Sequence, residues 1–89
     1  MTKLKCKIKY FRHLLQFDHQ YEFAKFLGVS KFSCNQWEQG ELPNLMSSWK
    51  IFNKIKDELT KRLTEEEFKR IYPAGFHFED LFEELSDES

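Results

Sequence analysis

The sequence is poor in the residues that staple or hinge a small protein. It has only two cysteines in 89 residues, Cys6 and Cys34, too few and too isolated for a disulfide framework. Three scattered histidines do not complete a zinc site with them, so both are expected to be reduced thiols. No apolar run approaches the length of about 18 residues that a membrane span needs. The Lys-dotted start lacks the apolar stretch and small-residue cleavage site of a secretory signal. A cytoplasmic chain without membrane association is the expectation. Also missing are a Ser/His/Asp or Cys/His set at catalytic spacing and a glycine-rich phosphate loop, which argues against an enzyme and against a bound cofactor or metal. There are no internal repeats and no low-complexity linker. A chain this short buries only roughly 60–65% of its unfolded surface, which leaves room for one core and one domain.

What the chain does have is aromatic. Apolar residues make up 40% of the composition and aromatics 17%, with ten phenylalanines, enough to fold without staples. The formal net charge of −1 conceals a division along the chain. Residues 1–63 carry twelve Lys/Arg against six Asp/Glu, whereas residues 64–89 carry two against nine. A basic body of that kind can approach a polyanion, and an acidic C-terminal segment would be repelled by it. The same division also fits a merely solvated surface.

Periodicity places the elements. Lys3 to Tyr10 alternates with period two, as a strand would, but Leu4, Ile8, Phe11 and Leu15 form a helical stripe. A helix from about residue 5 to Gln16 is favoured, with the first few residues extended. Phe23, Ala24, Phe26 and Leu27 define a second short helix from Gln20, ended by Gly28. Ser30 is a good N-cap for a third, in which Cys34 and Trp37 recur at a spacing of three before Gly40. Asn44 caps a longer helix to about Leu63, with Leu45, Trp49, Phe52, Ile55 and Leu59 assigned to its buried face. Thr64-Glu65-Glu66-Glu67 has the form of a capping box and opens a helix to about Ile71. Pro73-Ala74-Gly75 is a turn, Phe78, Leu81, Phe82 and Leu85 suggest a last amphipathic turn or two, and the final Ser-Asp-Glu-Ser is expected to fray.

The informative stretch runs from Gln20 to Gly40. Two helices that cross steeply through a three- or four-residue turn need a small residue where their backbones approach, and Ala24 is there. They need a residue that accepts positive φ at the turn, and Gly28 supplies it. Phe23, Leu27, Val29, Cys34 and Trp37 occupy the positions that close the angle between the helices. All seven requirements are met together, which is a specific signal for a helix-turn-helix.

On Gln20-Tyr-Glu-Phe-Ala24, Leu27-Gly-Val-Ser30, Gln36-Trp-Glu-Gln-Gly40 and Pro43-Asn44-Leu45, over about residues 5 to 55, the sequence resembles the Cro/C1-type (XRE-like) helix-turn-helix DNA-binding family. The resemblance implies an all-α fold, a compact lambda-repressor-like bundle of about five helices. Residues 1–63 would form the DNA-binding part, and residues 64–89 an acidic extension packed on or next to it in a single folding unit. It further implies a homodimer on two half-sites of a double-stranded operator, with the helix around 31–39 in the major groove. Lys31, Phe32, Ser33 and Gln36 would then touch base edges, by chemistry suited to guanine, a thymine methyl, either base pair and adenine respectively. Gln20, Asn35, Gln39 and Asn44 would contact phosphates, Gln20 at a helix N-terminus where free N–H groups favour an anion. Cys34 and Trp37 are expected to be core residues. Lys3, Lys5, Lys7, Lys9 and Arg12 read either as a phosphate-contacting arm or as a solvated face.

Some positions depart from the family. His13 is matched to a position where many relatives carry an arginine paired with the glutamate equivalent to Glu38, so this clamp is expected to be absent or replaced by a pH-dependent His13–Glu38 pair. His19 stands in place of a Ser/Thr cap, and the acidic segment has no clear family counterpart. The function implied is a transcriptional regulator such as a phage or mobile-element repressor. The alternatives are an antitoxin, whose C-terminal segment binds a protein partner, or a protein-interaction module that has kept the scaffold and lost DNA binding. The second is motivated by Lys25 and Lys31 being the only cations between residues 20 and 39.

Overall fold

The computed structural model describes residues 3–85. The chain begins with strand β1 (Lys3–Cys6), followed by helices α1 (Ile8–Leu14), α2 (Gln20–Leu27), α3 (Lys31–Glu38), α4 (Leu45–Arg62) and α5 (Glu65–Ile71). A single 3-10 turn, Phe78–Leu81, leads into strand β2 (Phe82–Leu85). The described residues are mostly helical, with one small two-stranded sheet.

That sheet corrects the expectation of an all-α chain. β1 and β2 pair antiparallel in the register Lys3 with Leu85, Leu4 with Glu84, Lys5 with Glu83 and Cys6 with Phe82. The period-two alternation at the start is thus a strand, and α1 begins at Ile8 rather than near residue 5. The anticipated last helical turn around Phe78 to Leu85 is instead a 3-10 turn that straightens into the partner strand. The physical reason is nonlocal: Lys5 and Glu83 face each other across the ladder, and opposite charges at that position favour pairing. The Lys7 amide donates to the Leu81 carbonyl and closes the ribbon onto α1. The four C-terminal residues expected to fray lie outside the described residues.

Helix ends follow local chemistry. Asn44 Oδ1 accepts from the Ser47 amide and starts α4. Thr64 and Glu67 form the expected capping box, each side chain accepting from the other's amide. Those hydrogen bonds hold the Glu67 carboxyl below its ordinary range. His19, the N-cap residue of α2, makes no side-chain capping hydrogen bond. After α1 the chain turns through Gln16 at φ 62°, and Arg62 at the end of α4 donates to the Leu15 carbonyl there.

The core joins Ile8, Phe11 and Leu15 of the α1 segment with Phe23, Leu27, Cys34, Ile51, Ile55, Leu59 and Leu81, all essentially inaccessible to solvent. A chain of aromatic contacts ties the C-terminal segment to this core. Phe76 stacks on Phe52 at 5.2 Å and meets Phe11 edge-on at 5.6 Å, while Phe78 stacks on Trp49 at 4.7 Å and meets Phe82 at 5.7 Å. Each such pair contributes roughly 0.5–1.5 kcal/mol beyond burial. The buried face of α4 also differs from expectation. It is Ser48, Ile51, Phe52, Ile55 and Leu59, whereas Leu45 and Trp49 are exposed. Burial follows an i, i+3, i+4, i+7, i+11 stripe from Ser48, whose hydroxyl is satisfied by the Asn44 carbonyl at 2.8 Å.

Candidate functional site

The segment from Gln20 to Gly40 folds as two eight-residue helices joined by Gly28, Val29 and Ser30. Gly28 ends α2 at φ 76°, a left-handed conformation that side chains with a Cβ rarely adopt. Its amide donates to the Lys25 carbonyl, and the Val29 amide to the Ala24 carbonyl at 2.9 Å. A Cβ at residue 28 would stand 3.1 Å from Cε and Nζ of Lys50, because Lys50 Nζ donates to the Gly28 carbonyl at 2.8 Å. This cation at the C-terminal end of α2 joins the bend to α4 and complements the helix dipole. Ser30 restarts the chain by accepting from the Ser33 amide at 3.0 Å. Ala24, Cys34 and Trp37 are buried on the inner side, and Val29 is half-buried against them.

On the outer side, Lys31 and Phe32 at the start of α3 are exposed, Phe32 at 71%. Ser33, Asn35 and Gln36 are half-buried. The Ser33 hydroxyl already accepts from Ser30 at 3.0 Å, so it belongs as much to the cap as to the surface. Of the four residues assigned to phosphate, Gln39 and Asn44 are exposed, and Gln20 and Asn35 are half-buried. Gln20 is the first residue of α2, but Asn44 uses Oδ1 to cap α4 and keeps only its amide nitrogen for another partner.

The ion pair behind α3 requires a correction. The partner of Glu38 is Arg12, not His13, and His13 is exposed. Arg12 Nε donates to Glu38 Oε2 at 3.0 Å and Nη2 to Oε1 at 3.4 Å, in a bidentate geometry. Nη1 of the same guanidinium donates to the carbonyls of Phe17 and Asp18 at 3.2 and 3.1 Å. One side chain thus ties α1, the α1–α2 loop and α3 together. With side-chain exposures of 10% for Arg12 and 6% for Glu38, the pair is largely withdrawn from water, and Arg12 is not part of a basic arm. The register signal was present in the sequence: residues 8, 11, 12 and 15 share one helical stripe, and 13 lies across from it.

Burial pushes the Cys34 thiol up to about 11, with the Glu38 carboxylate adding to the effect, and the Cys6 thiol up to about 12. Both are free and inert at neutral pH.

Comparison with family models, curated proteins and solved structures gives no match.

Among the described residues no cluster of three His, Cys, Asp or Glu could hold a metal, and no helix is long and apolar enough to cross a membrane. Reading the sequence missed the apolar surface that follows α3, where Leu42, Leu45, Met46 and Trp49 are all exposed. A signal existed for Trp49, which lies to one side of the stripe that starts at Ser48, whereas Leu45 shares the face of Phe52 and is exposed at the first position of the helix.

Proposed function

We propose that the chain is a sequence-specific double-stranded DNA-binding regulator of the helix-turn-helix type, with α3 as the helix that enters the major groove. The observation that carries this reading is the division of α3 between two environments. Cys34 and Trp37 are buried and Glu38 is clamped by Arg12, while Lys31 and Phe32 project from the first turn into solvent. A helix fixed from behind and free at its leading edge has the geometry that reads base edges by insertion.

In this reading Lys31 donates to guanine O6/N7, Gln36 pairs with adenine, Phe32 packs on a thymine methyl and Ser33 gives an adaptable contact. Gln20 at the N-terminus of α2, with Asn35, Gln39 and Asn44, positions the helix on phosphates and adds affinity with little sequence information. No catalysis or cofactor is needed. Occupying the operator would exclude polymerase or a competing regulator.

The test is binding to duplex DNA by the wild-type chain and by Lys31→Ala and Gln36→Ala at a fixed salt concentration. Each variant should lose about 1–3 kcal/mol and relax specificity at one base position. A second reading, a protein-interaction module on the same scaffold, is favoured by the exposure of Phe32 where a polar reader would be expected. A protein binder would be indifferent to both substitutions and would lack the salt dependence of counterion release.

A further inference from the structure

Gln20, Asn35, Gln39 and Asn44, the residues assigned to phosphate, are all uncharged. Neutral side chains can position a helix on the backbone, but only cations release condensed counterions and draw a protein toward a polyanion. Lys31, the one cation of the assigned set, is directed to a base. The attraction must come from cations elsewhere near α3.

The fold brings Lys50 of α4 to the leading edge of that helix. Its Nζ donates to the Gly28 carbonyl at 2.8 Å, and Lys31, the first residue of α3, follows Gly28 by three residues. Three residues of chain span at most about 11 Å, within the roughly 12 Å width of the major groove, so a helix seated in the groove carries this ammonium to the backbone at its rim. The bond to Gly28 uses one of three N–H groups and leaves two for an anion. It also holds a side chain that would otherwise have to be ordered on binding. Lys54 lies one turn further along α4 on the same face, its Cβ about 5–6 Å from that of Lys50. Lys50, Asn53, Lys54 and Asp57 line a shallow cleft there, and all four are exposed. Asp57, the carboxylate of the cleft, is bridged by Lys61 at 3.1 Å. Among the described residues neither Lys50 nor Lys54 is paired with a carboxylate, whereas Lys61, Arg62 and Lys69 are.

We infer that Lys50 and Lys54 form a cleft for phosphates of the duplex backbone, beside the groove that α3 enters. This assignment rests on the DNA-binding reading and adds to it the charge that the neutral contacts lack. Each ammonium neutralises one phosphate, and the Asn53 amide donates beside them. Such contacts carry no base information, so they act alike on an operator and on unrelated duplex.

The test measures binding of the full chain to a short mixed-sequence duplex between about 50 and 200 mM salt, where backbone contacts alone supply the affinity. Lys54→Gln should reduce the slope of log K against log salt by about 0.9, so that its deficit against the wild type is about 3.5-fold larger at the lower salt than at the higher. Lys50→Gln should reduce the slope equally, and Lys50→Gln/Lys54→Gln about twice as much. Lys69→Gln removes the same charge from α5 and should leave the slope unchanged. Lys54→Gln should also keep the sequence preference that Gln36→Ala relaxes, as a phosphate contact does and a base contact does not. Slopes equal to the wild type in both α4 variants, or a slope reduced as much by Lys69→Gln, would overturn the inference and leave the role of α3 to the Gln36→Ala result. A wild type that binds no duplex at any of these salt concentrations would overturn both.

Discussion

Replacing Arg12 by methionine tests how α3 is held. The substitution keeps most of the apolar stem and removes four hydrogen bonds, two to Glu38 and two to the carbonyls of Phe17 and Asp18. Glu38 is left with its side chain 6% exposed and, apart from a long contact with the Cys34 thiol at 3.9 Å, without a donor. Breaking a buried pair on one side costs about 3–5 kcal/mol, mostly the desolvation of the charge left behind. Domain stabilities are only about 5–15 kcal/mol, so Arg12→Met should lower the urea midpoint by a large fraction or unfold the chain. Glu38→Met leaves the guanidinium its two carbonyl acceptors and should cost less. In Arg12→Met/Glu38→Met no unpaired charge remains, and stability should recover relative to Arg12→Met alone, giving a coupling energy of about 1–3 kcal/mol in the double-mutant cycle. His13→Ala, which removes an exposed ring, should stay within about 0.5 kcal/mol of the wild type. An Arg12→Met variant as stable as the wild type, or a cycle with no coupling, would refute the clamp.

Three further outcomes follow from the geometry of the bend and the core. Gly28→Ala should destabilise by about 1–2 kcal/mol, because alanine resists φ 76° and its Cβ displaces the Lys50 ammonium, a loss read from chemical denaturation. Ser30→Ala should lower stability by about 0.5–2 kcal/mol through the lost cap on α3. The thiols give a pH dependence of defined sign. Both folded values are raised above the ordinary 9.0, so their contribution is complete below pH 9 and is lost as the unfolded chain ionises between pH 9 and about 11 for Cys34 and about 12 for Cys6. Denaturant midpoints should therefore fall more steeply above pH 9 in the wild type than in Cys34→Ala, and native protein should react with thiol reagents only at the rate of unfolding.

Local chemistry made the helices legible. Ser30, Asn44 and Thr64 announce their helices because a side-chain oxygen and an amide three residues on are enough to define a cap, and Gly28 announces the end of α2 through its own backbone. The ribbon was not legible, because the partner of Lys3 is Leu85, at the other end of the chain, and no window of neighbouring residues contains both. A four-residue strand beside a helical stripe also leaves periodicity undecided. The clamp was lost by one residue: resemblance aligned His13 with the arginine position, whereas the stripe of Ile8, Phe11 and Leu15 turns Arg12 inward. Trp49 lies beside the stripe that α4 buries, and Leu45, on the face of Phe52, is the first residue of the helix, so apolar character alone places neither in the core. At the candidate site the inner residues Ala24, Cys34 and Trp37 followed from packing. Whether Lys31 and Gln36 read bases depends on a ligand that no pattern within the chain contains.

Selection of duplexes from a random pool by the full chain, at a stated salt concentration, addresses the central claim most directly. The account predicts enrichment of a two-fold symmetric sequence with half-sites about one helical turn apart. With Gln36→Ala, preference should fall at one position of each half-site and persist at the others. A pool that emerges without any enriched sequence, or a selected site that the Gln36→Ala and Lys31→Ala chains recognise as the wild type does, would contradict it.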